Sequence, residues 1–205
     1  MENIVGALVG IIIFSPIMLL ISAAVKLTSK GSVLFQQERT GYQGKKFLFL
    51  KFRSMSTNND ESLHREYVEK LIQGNHDEIN MGSENQPYYK IKNDPRVTPL
   101  GRILRKSSMD ELPQFFNVLM GQMSLVGPRP PIPYELENYQ SWHMKRVFNV
   151  KPGITGLWQV KGRGLSTFYE MIRLDLQYAK KWNLPFDIKI LLSTIKAVFM
   201  GNGAD

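Results

Sequence analysis

The sequence predicts an α+β protein, predominantly helical, with a membrane-active N-terminus and one small β-hairpin. Three observations carry that prediction. Residues 4–25, "IVGALVGIIIFSPIMLLISAAV", hold no charge. Residues 32–55 alternate apolar and polar side chains around two glycines. Downstream, helical patterns recur, opened by Thr-Pro, Pro or Thr-x-x-Glu signals.

The apolar segment comes first. At roughly 1.5 Å per residue its 22 residues reach about 33 Å as a helix, close to the ~30 Å hydrocarbon core of a bilayer. No basic region precedes it and no A-x-A-like site follows, which argues against a signal peptide. Lys26 and Lys30 place its far end on the cytoplasmic side. Pro16, preceded by Ser15, sits near the middle. Pro16 removes one backbone donor and opposes the carbonyl four residues back, and Ser15 can satisfy a freed polar atom. The residues alone allow a straight anchor with a tolerated kink or a re-entrant hairpin that returns both ends to the cytoplasm.

After this segment, "SVLFQQERTGYQGKKFLFLKFRSM" predicts two short strands around a turn at Gly41 and Gly44. Residues 57–95 form a polar insertion. Within it Leu63, Tyr67 and Leu71 have helical spacing, and the rest is expected to be mobile. Thr98 and Pro99 predict an N-cap and first helical residue. Pro113 and Gly121 bracket the next helix, 133–148 is expected to be helical, and 150–164 reads as a glycine-rich loop with a short strand. Thr167 and Glu170 have capping-box spacing. The last helix, 185–201, carries Phe186, Ile190, Ile195 and Phe199. With Trp182 and its lysines it suits either core packing or the bilayer interface.

Composition narrows the function classes. Net charge is +8, with 26 cations and 17 anions after the apolar segment. That balance suits phosphate or anionic lipid. No recognition helix or RNA-binding aromatic signature accompanies it, so no nucleic acid is expected. There is no cysteine, and His64, His76 and His143 lack zinc-ligand spacing.

The densest polar stretch is "GRILRKSSMDELPQ". Asp110 and Glu111 are adjacent, downstream of Arg102, Arg105 and Lys106, and ahead of Pro113. A helix start there would favour phosphate and an ionised carboxylate. Such a carboxylate can act as a nucleophile, and its neighbour can hold Mg²⁺ or handle a proton. Ser108 and Glu111 also fit a simple capping box, although Pro113 would then fall at its fifth helical position. In "GPRPPIP" four prolines within 128–133 force an extended path that fixes Arg129. In "KPGITGLWQVKGRG" four glycines, Lys151, Lys161 and Arg163 allow close approach to an anion, without matching a P-loop or dinucleotide fingerprint.

Together, "RTGYQGKKFLFLKFRSM", "SSMDELPQFFNVLMGQMSLVGPRP", "KPGITGLWQVKGR", "RLDLQYAKKWNLPFDIKIL" and the Ser15–Pro16 pair resemble the bacterial sugar transferases, the monotopic phosphoglycosyl transferases. The match covers nearly all of the chain outside 57–95. It is closest in kind to the catalytic portion of larger polysaccharide-initiating transferases, which often carry further membrane helices upstream.

The resemblance implies transfer of a sugar-1-phosphate from a UDP-sugar to undecaprenyl or another polyprenyl phosphate, with Mg²⁺ and release of UMP. It implies a ping-pong route in which Asp110 forms a covalent phosphosugar intermediate. Glu111 would share Mg²⁺ with Asp110 and assist the lipid phosphate. Arg105, Arg129, Lys51, Arg163 and Asp175 would bind phosphate or substrate. It further implies a re-entrant helix over 1–30 broken at Ser15–Pro16, and a catalytic domain over 31–205 with interfacial amphipathic helices. The location would be monotopic, on the cytoplasmic face of the bacterial inner membrane among membrane lipid, and a homodimer is compatible with it. A catalytically inert anion-binding scaffold is the competing class.

Overall fold

The computed structural model describes residues 2–56, 62–82, 88–89, 94–162 and 166–200. In chain order these form α1 (Glu2–Thr28), β1 (Leu34–Thr40), β2 (Lys46–Phe52), α2 (Ser62–Gln73), α3 (His76–Ile79), α4 (Pro99–Lys106), α5 (Gln114–Leu119) and β3 (Ser124–Val126). Then follow α6 (Pro133–Leu136), α7 (Lys145–Phe148), β4 (Gly153–Thr155), α8 (Leu157–Lys161), α9 (Phe168–Lys181) and α10 (Leu184–Met200). The fold is mostly helical, as expected. The strands form two small pairs: β1 and β2 antiparallel, β3 and β4 parallel.

α1 is a single helical element that runs through Pro16. The break expected at Ser15–Pro16 is absent as a chain reversal; the helix continues from Glu2 to Thr28. Ser15 explains how it can. The carbonyl of Ile12 is the one that Pro16 cannot bond, and the Ser15 hydroxyl donates to it at 3.0 Å. One stripe of α1 packs on the rest of the protein. Asn3 accepts from the Leu125 amide, Phe14 stacks on Phe115, and Ala7, Gly10, Met18, Ile21 and Val25 are buried. These positions recur every three or four residues, the spacing of one helix face. The stripe joins two cores. Ala7 meets Phe47, Phe49, Val118 and Met123, and Met18, Ile21 and Val25 meet Phe52 and Leu104. The opposite face leaves Ile4, Val5, Leu8, Val9, Ile12, Ile13, Leu19 and Leu20 exposed.

The β-hairpin has the expected register, with Leu34 opposite Phe52 and Thr40 opposite Lys46. Side chains alternate across it, so Gln37, Arg39, Phe49 and Lys51 share a face. The other edge of β2 is closed by a side chain. Asn117 of α5, fully buried, accepts from the Leu50 amide and donates to the Leu48 carbonyl. This clip satisfies backbone groups of an edge strand and fixes α5 against the hairpin.

Several helix signals behave as expected. Thr98 caps α4 by accepting from the Gly101 amide at 2.9 Å, and α9 has the full Thr167–Glu170 capping box. α5 ends before Gly121, whose φ is 74°. The stretch 133–148 is a correction: it is two short helices, α6 and α7, separated by turns. The Gln140 amide donates to the His143 ring, and that ring packs on Trp142 and Tyr139. A backbone donor diverted to a side chain interrupts the helical ladder.

α10 packs on the core along one side only. Ile190 is buried with Val126, Leu157 and Tyr178, while Leu184, Ile188, Leu192, Ile195 and Val198 are exposed. The side chain of Phe199 lies outside the described residues, as do those of Leu63 and His76.

Candidate active site

A cleft of about 630 Å³ opens between the hairpin, α2, the turn before α5 and the proline-rich loop. Seven cations line it, against four carboxylates. A surplus of this kind in a partly desolvated cleft attracts phosphate groups.

Asp110 and Glu111 sit in a 3-10 turn, Met109–Glu111, just ahead of α5. Both are largely buried, at 6% and 7% exposure, and both line the cleft. Ser108 adopts a left-handed backbone, φ 55°, and its side chain does not cap the turn. The capping-box alternative is therefore not realised. Nor does a helix dipole carry the site, because α5 has only six residues. Neighbouring cations do that work.

Arg129 donates to Glu111 at 2.9 Å. Burial opposes its charge, but Glu111 and then Asp110 outweigh burial and raise its pKa. Lys51 lies 3.9 Å from the same carboxylate oxygen. Burial, reinforced by Arg129, pulls the Lys51 ammonium down to about 7. Arg105 is anchored by donation to the Ser54 hydroxyl at 2.9 Å. Its pKa is lowered by burial, against the pull of Asp110 and Asp94. This anchor depends on a close approach: a Cβ on Gly101 would stand 2.0 Å from the Ser54 carbonyl oxygen.

The site thus brings together Lys51, Arg105, Asp110, Glu111 and Arg129, drawn from β2, α4, the turn and the loop. Asp175 requires a correction. It is 1% exposed, forms a 2.6 Å ion pair with Arg146, and does not line the cleft. A buried carboxylate behind the wall cannot take a phosphate directly. Arg163 lies outside the described residues.

Arg39 and Arg146 line the cleft without having been singled out in the sequence. Arg39 was legible in principle: period-two alternation in "FQQERT" puts it on the face of the hairpin that also bears Lys51. Three guanidinium or ammonium groups, from Arg39, Lys51 and Arg129, stand 5.3, 5.3 and 5.8 Å from the Phe49 ring centre. Burial, then Arg129, pulls Arg39 down to about 10. The insertion also contributes. His64, Tyr67, Val68 and Leu71 of α2 form part of the wall. His64 meets Tyr134 at 2.6 Å, and burial and nearby cations lower its pKa to about 4, so it is neutral at pH 7. The remainder expected to be mobile falls partly outside the described residues.

Among the described residues no three His, Asp or Glu side chains converge as a cage for a metal. Two adjacent carboxylates in a phosphate-attracting cleft fit Mg²⁺ differently. That ion keeps waters and takes one or two carboxylates together with substrate phosphates.

The protein combines one helix long and apolar enough to cross a membrane with a cationic cleft that holds paired carboxylates. Residues 1–201 match the family described as bacterial sugar transferase, and the chain belongs to it. It is 40% identical over 203 residues to the galactosyl transferase CpsE of Streptococcus agalactiae serotype III (strain NEM316), covering 98% of this chain and 42% of that one. It is 41% identical over 204 residues to the exopolysaccharide production protein ExoY of Rhizobium meliloti (strain 1021), covering 98% and 85%. It is 42% identical over 212 residues to the UDP-glucose:undecaprenyl-phosphate glucose-1-phosphate transferase of Klebsiella pneumoniae, covering 100% and 40%. The chain therefore spans about two fifths of CpsE and of the Klebsiella transferase, and most of ExoY.

Proposed function

We propose that this protein transfers a sugar-1-phosphate from a UDP-sugar to a polyprenyl phosphate, as an early membrane step of polysaccharide synthesis. The observation that carries the reading is the cleft: Asp110 and Glu111 side by side, buried, within a surplus of fixed cations. The name of the Klebsiella relative supplies the chemistry of both substrates. The relatives' names differ in the sugar, galactosyl in one and glucose in the other, so the donor sugar is left open.

Asp110 acts as the nucleophile on the sugar-linked phosphorus. The new bond joins a carboxylate oxygen to phosphorus, and the bond to the UMP oxygen breaks. The polyprenyl phosphate then attacks the same phosphorus and releases Asp110 as a carboxylate. Arg129, Arg105 and Lys51 offset the charge that gathers on the transferring group. Asp110 and Glu111 would hold Mg²⁺, which supplies further charge neutralisation when bound.

The membrane reading gains support from the contact stripe on α1. It touches the rest of the protein from Asn3 to Val25, almost its whole length. A perpendicular crossing would carry β3, α5 and the hairpin into the bilayer with it, leaving charged groups in hydrocarbon. A helix that enters from the cytoplasmic face and stays with the domain avoids this. The exposed faces of α1 and α10 then meet lipid. That arrangement keeps the cleft near headgroup depth, where a lipid phosphate and a cytosolic nucleotide sugar can both reach it.

The test is direct. The purified protein is incubated with individual UDP-sugars and Mg²⁺, without lipid acceptor, and its intact mass is measured. We expect a gain of one sugar phosphate with one donor and no gain in Asp110→Asn. An unmodified wild-type protein that nonetheless turns over once polyprenyl phosphate is added would rule out the covalent step.

A further inference from the structure

The loop that carries Arg129 contains three prolines among residues 128–131, so it supplies almost no backbone donors. It does present four consecutive carbonyls, and each is captured. The Gly153 amide donates to Pro128 at 2.9 Å and the Thr40 amide to Pro131 at 2.9 Å. Between them, Arg146 donates to the Arg129 carbonyl at 2.8 Å and Arg39 to the Pro130 carbonyl at 2.8 Å. Two side chains thus grip the loop beside the residue whose guanidinium pairs with Glu111.

Arg146 is itself held. Its other terminal nitrogen donates to the Tyr139 hydroxyl at 2.9 Å, and it forms the ion pair with Asp175 of α9. Both partners of that pair have side chains 2% exposed. A chain of contacts therefore runs from Asp175 through Arg146 to the Arg129 backbone, and on through the Arg129 guanidinium to Glu111. A buried pair is weak evidence for stability, because apolar replacements often serve as well. Fixing one carbonyl of a functional loop is a task apolar residues cannot perform.

We propose that Arg146 and Asp175 are positioning residues: α9, through this buried pair, sets the Arg129 guanidinium against Glu111 and the anion-binding cleft. The proposal rests on the phosphate-binding part of the functional reading. Arg129 would be the group that touches substrate, and Arg146 would act only through it. Lysine at 146 keeps a cation for Asp175 but loses the planar fork that reaches two acceptors at once.

The test is a double-mutant cycle on the full-length protein, read as affinity for inorganic pyrophosphate by calorimetry. Arg146→Lys should weaken binding about tenfold in the wild-type background, within the range seen for coupled neighbours. In an Arg129→Gln background the same change should cost less than about twofold, since no guanidinium is left to aim. Equal costs in both backgrounds would make Arg146 merely structural and overturn the proposal, as would a wild-type protein that does not bind pyrophosphate. The apolar pair Arg146→Met with Asp175→Leu guards against misfolding of the single variant. It should show the same coupling, and wild-type affinity in it would also overturn the proposal. A protein with the coupling intact but no turnover of any UDP-sugar in the presence of polyprenyl phosphate would refute the transferase reading alone and leave the positioning role standing.

Discussion

The protein contains two arginine–carboxylate pairs one contact apart, and they behave as opposites. Arg129 and Glu111 lie in the cleft, with side chains 25% and 9% exposed. Arg146 and Asp175 form a nearly sealed pair at its wall: Arg146 borders the cleft and Asp175 lies behind it, both side chains 2% exposed. Burial holds Asp175 up to about 6 against the pull of Arg146, whose own pKa the pair raises. Under the proposed function Arg129 would exchange its carboxylate for a substrate phosphate, since its side chain is open to the cleft. Arg146 has no such alternative. The same two functional groups make a site when open and a scaffold when closed.

The largest effect should come from breaking the closed pair on one side. Arg146→Met leaves the Asp175 carboxylate buried without its cation, and we expect a loss of about 3–5 kcal/mol in unfolding free energy. Denaturant titration in detergent checks this, and a loss below about 1 kcal/mol would mean that Asp175 simply takes up a proton. The open pair should respond in the other currency. Arg129→Met should lower kcat/KM for sugar-phosphate transfer by about 10²–10³ while the denaturation midpoint hardly moves. A parallel loss of stability would show that Arg129 belongs with Arg146 as a scaffold group.

The contrast also explains what the sequence could convey. Elements governed by local chemistry were legible: the hairpin from its alternation, α4 from Thr98–Pro99, α9 from its capping box. Asp110, Glu111, Arg105 and Arg129 stand in stretches whose sequence neighbours suggest an anion site, whereas Lys51 entered through the family resemblance; all five line the cleft. Asp175 misled, because burial is a tertiary property and the residue looks the same open or closed. Arg39 and Arg146 were missed for the same reason: their partners, Pro130 and Arg129, lie 91 and 17 residues away. The 133–148 stretch was misread because a histidine ring, and not a carbonyl, takes the Gln140 amide.

Lys51 sits between the two regimes, and pH should reveal it. Its pKa of about 7 lies well below that of the unfolded chain, where lysine titrates near 10.5. Between those values the unfolded state binds the extra proton, so the apo protein should gain stability as pH rises from about 7 to about 10. Anion binding should move the opposite way, since the cation is lost over the first part of that range. Affinity for a UDP-sugar, whose diphosphate diester keeps its charge, should fall about three- to tenfold from about pH 6 to about pH 8.5. Lys51→Met should flatten both profiles. A wild-type affinity independent of pH would place the Lys51 charge outside the binding step.

The smallest effect belongs to α1, where no charge is at stake. Ser15→Ala removes the donor that serves the Ile12 carbonyl. In lipid such a bond is worth on average about 0.6 kcal/mol, so the thermal midpoint in nanodiscs should barely change. Topology is the more telling readout, and the lack of native cysteine makes it clean. A Glu2→Cys probe should stay protected from an impermeant thiol reagent outside intact cells, because the helix stays with its domain on the cytoplasmic side. Pro16→Ala restores the backbone donor to Ile12 and removes the proline from the interior of α1. If the proline keeps the helix from crossing, part of the Pro16→Ala population should become labelled from outside. Full labelling of the wild-type probe would instead make α1 a straight anchor. The contact stripe from Asn3 to Val25 would then have to come apart in the membrane.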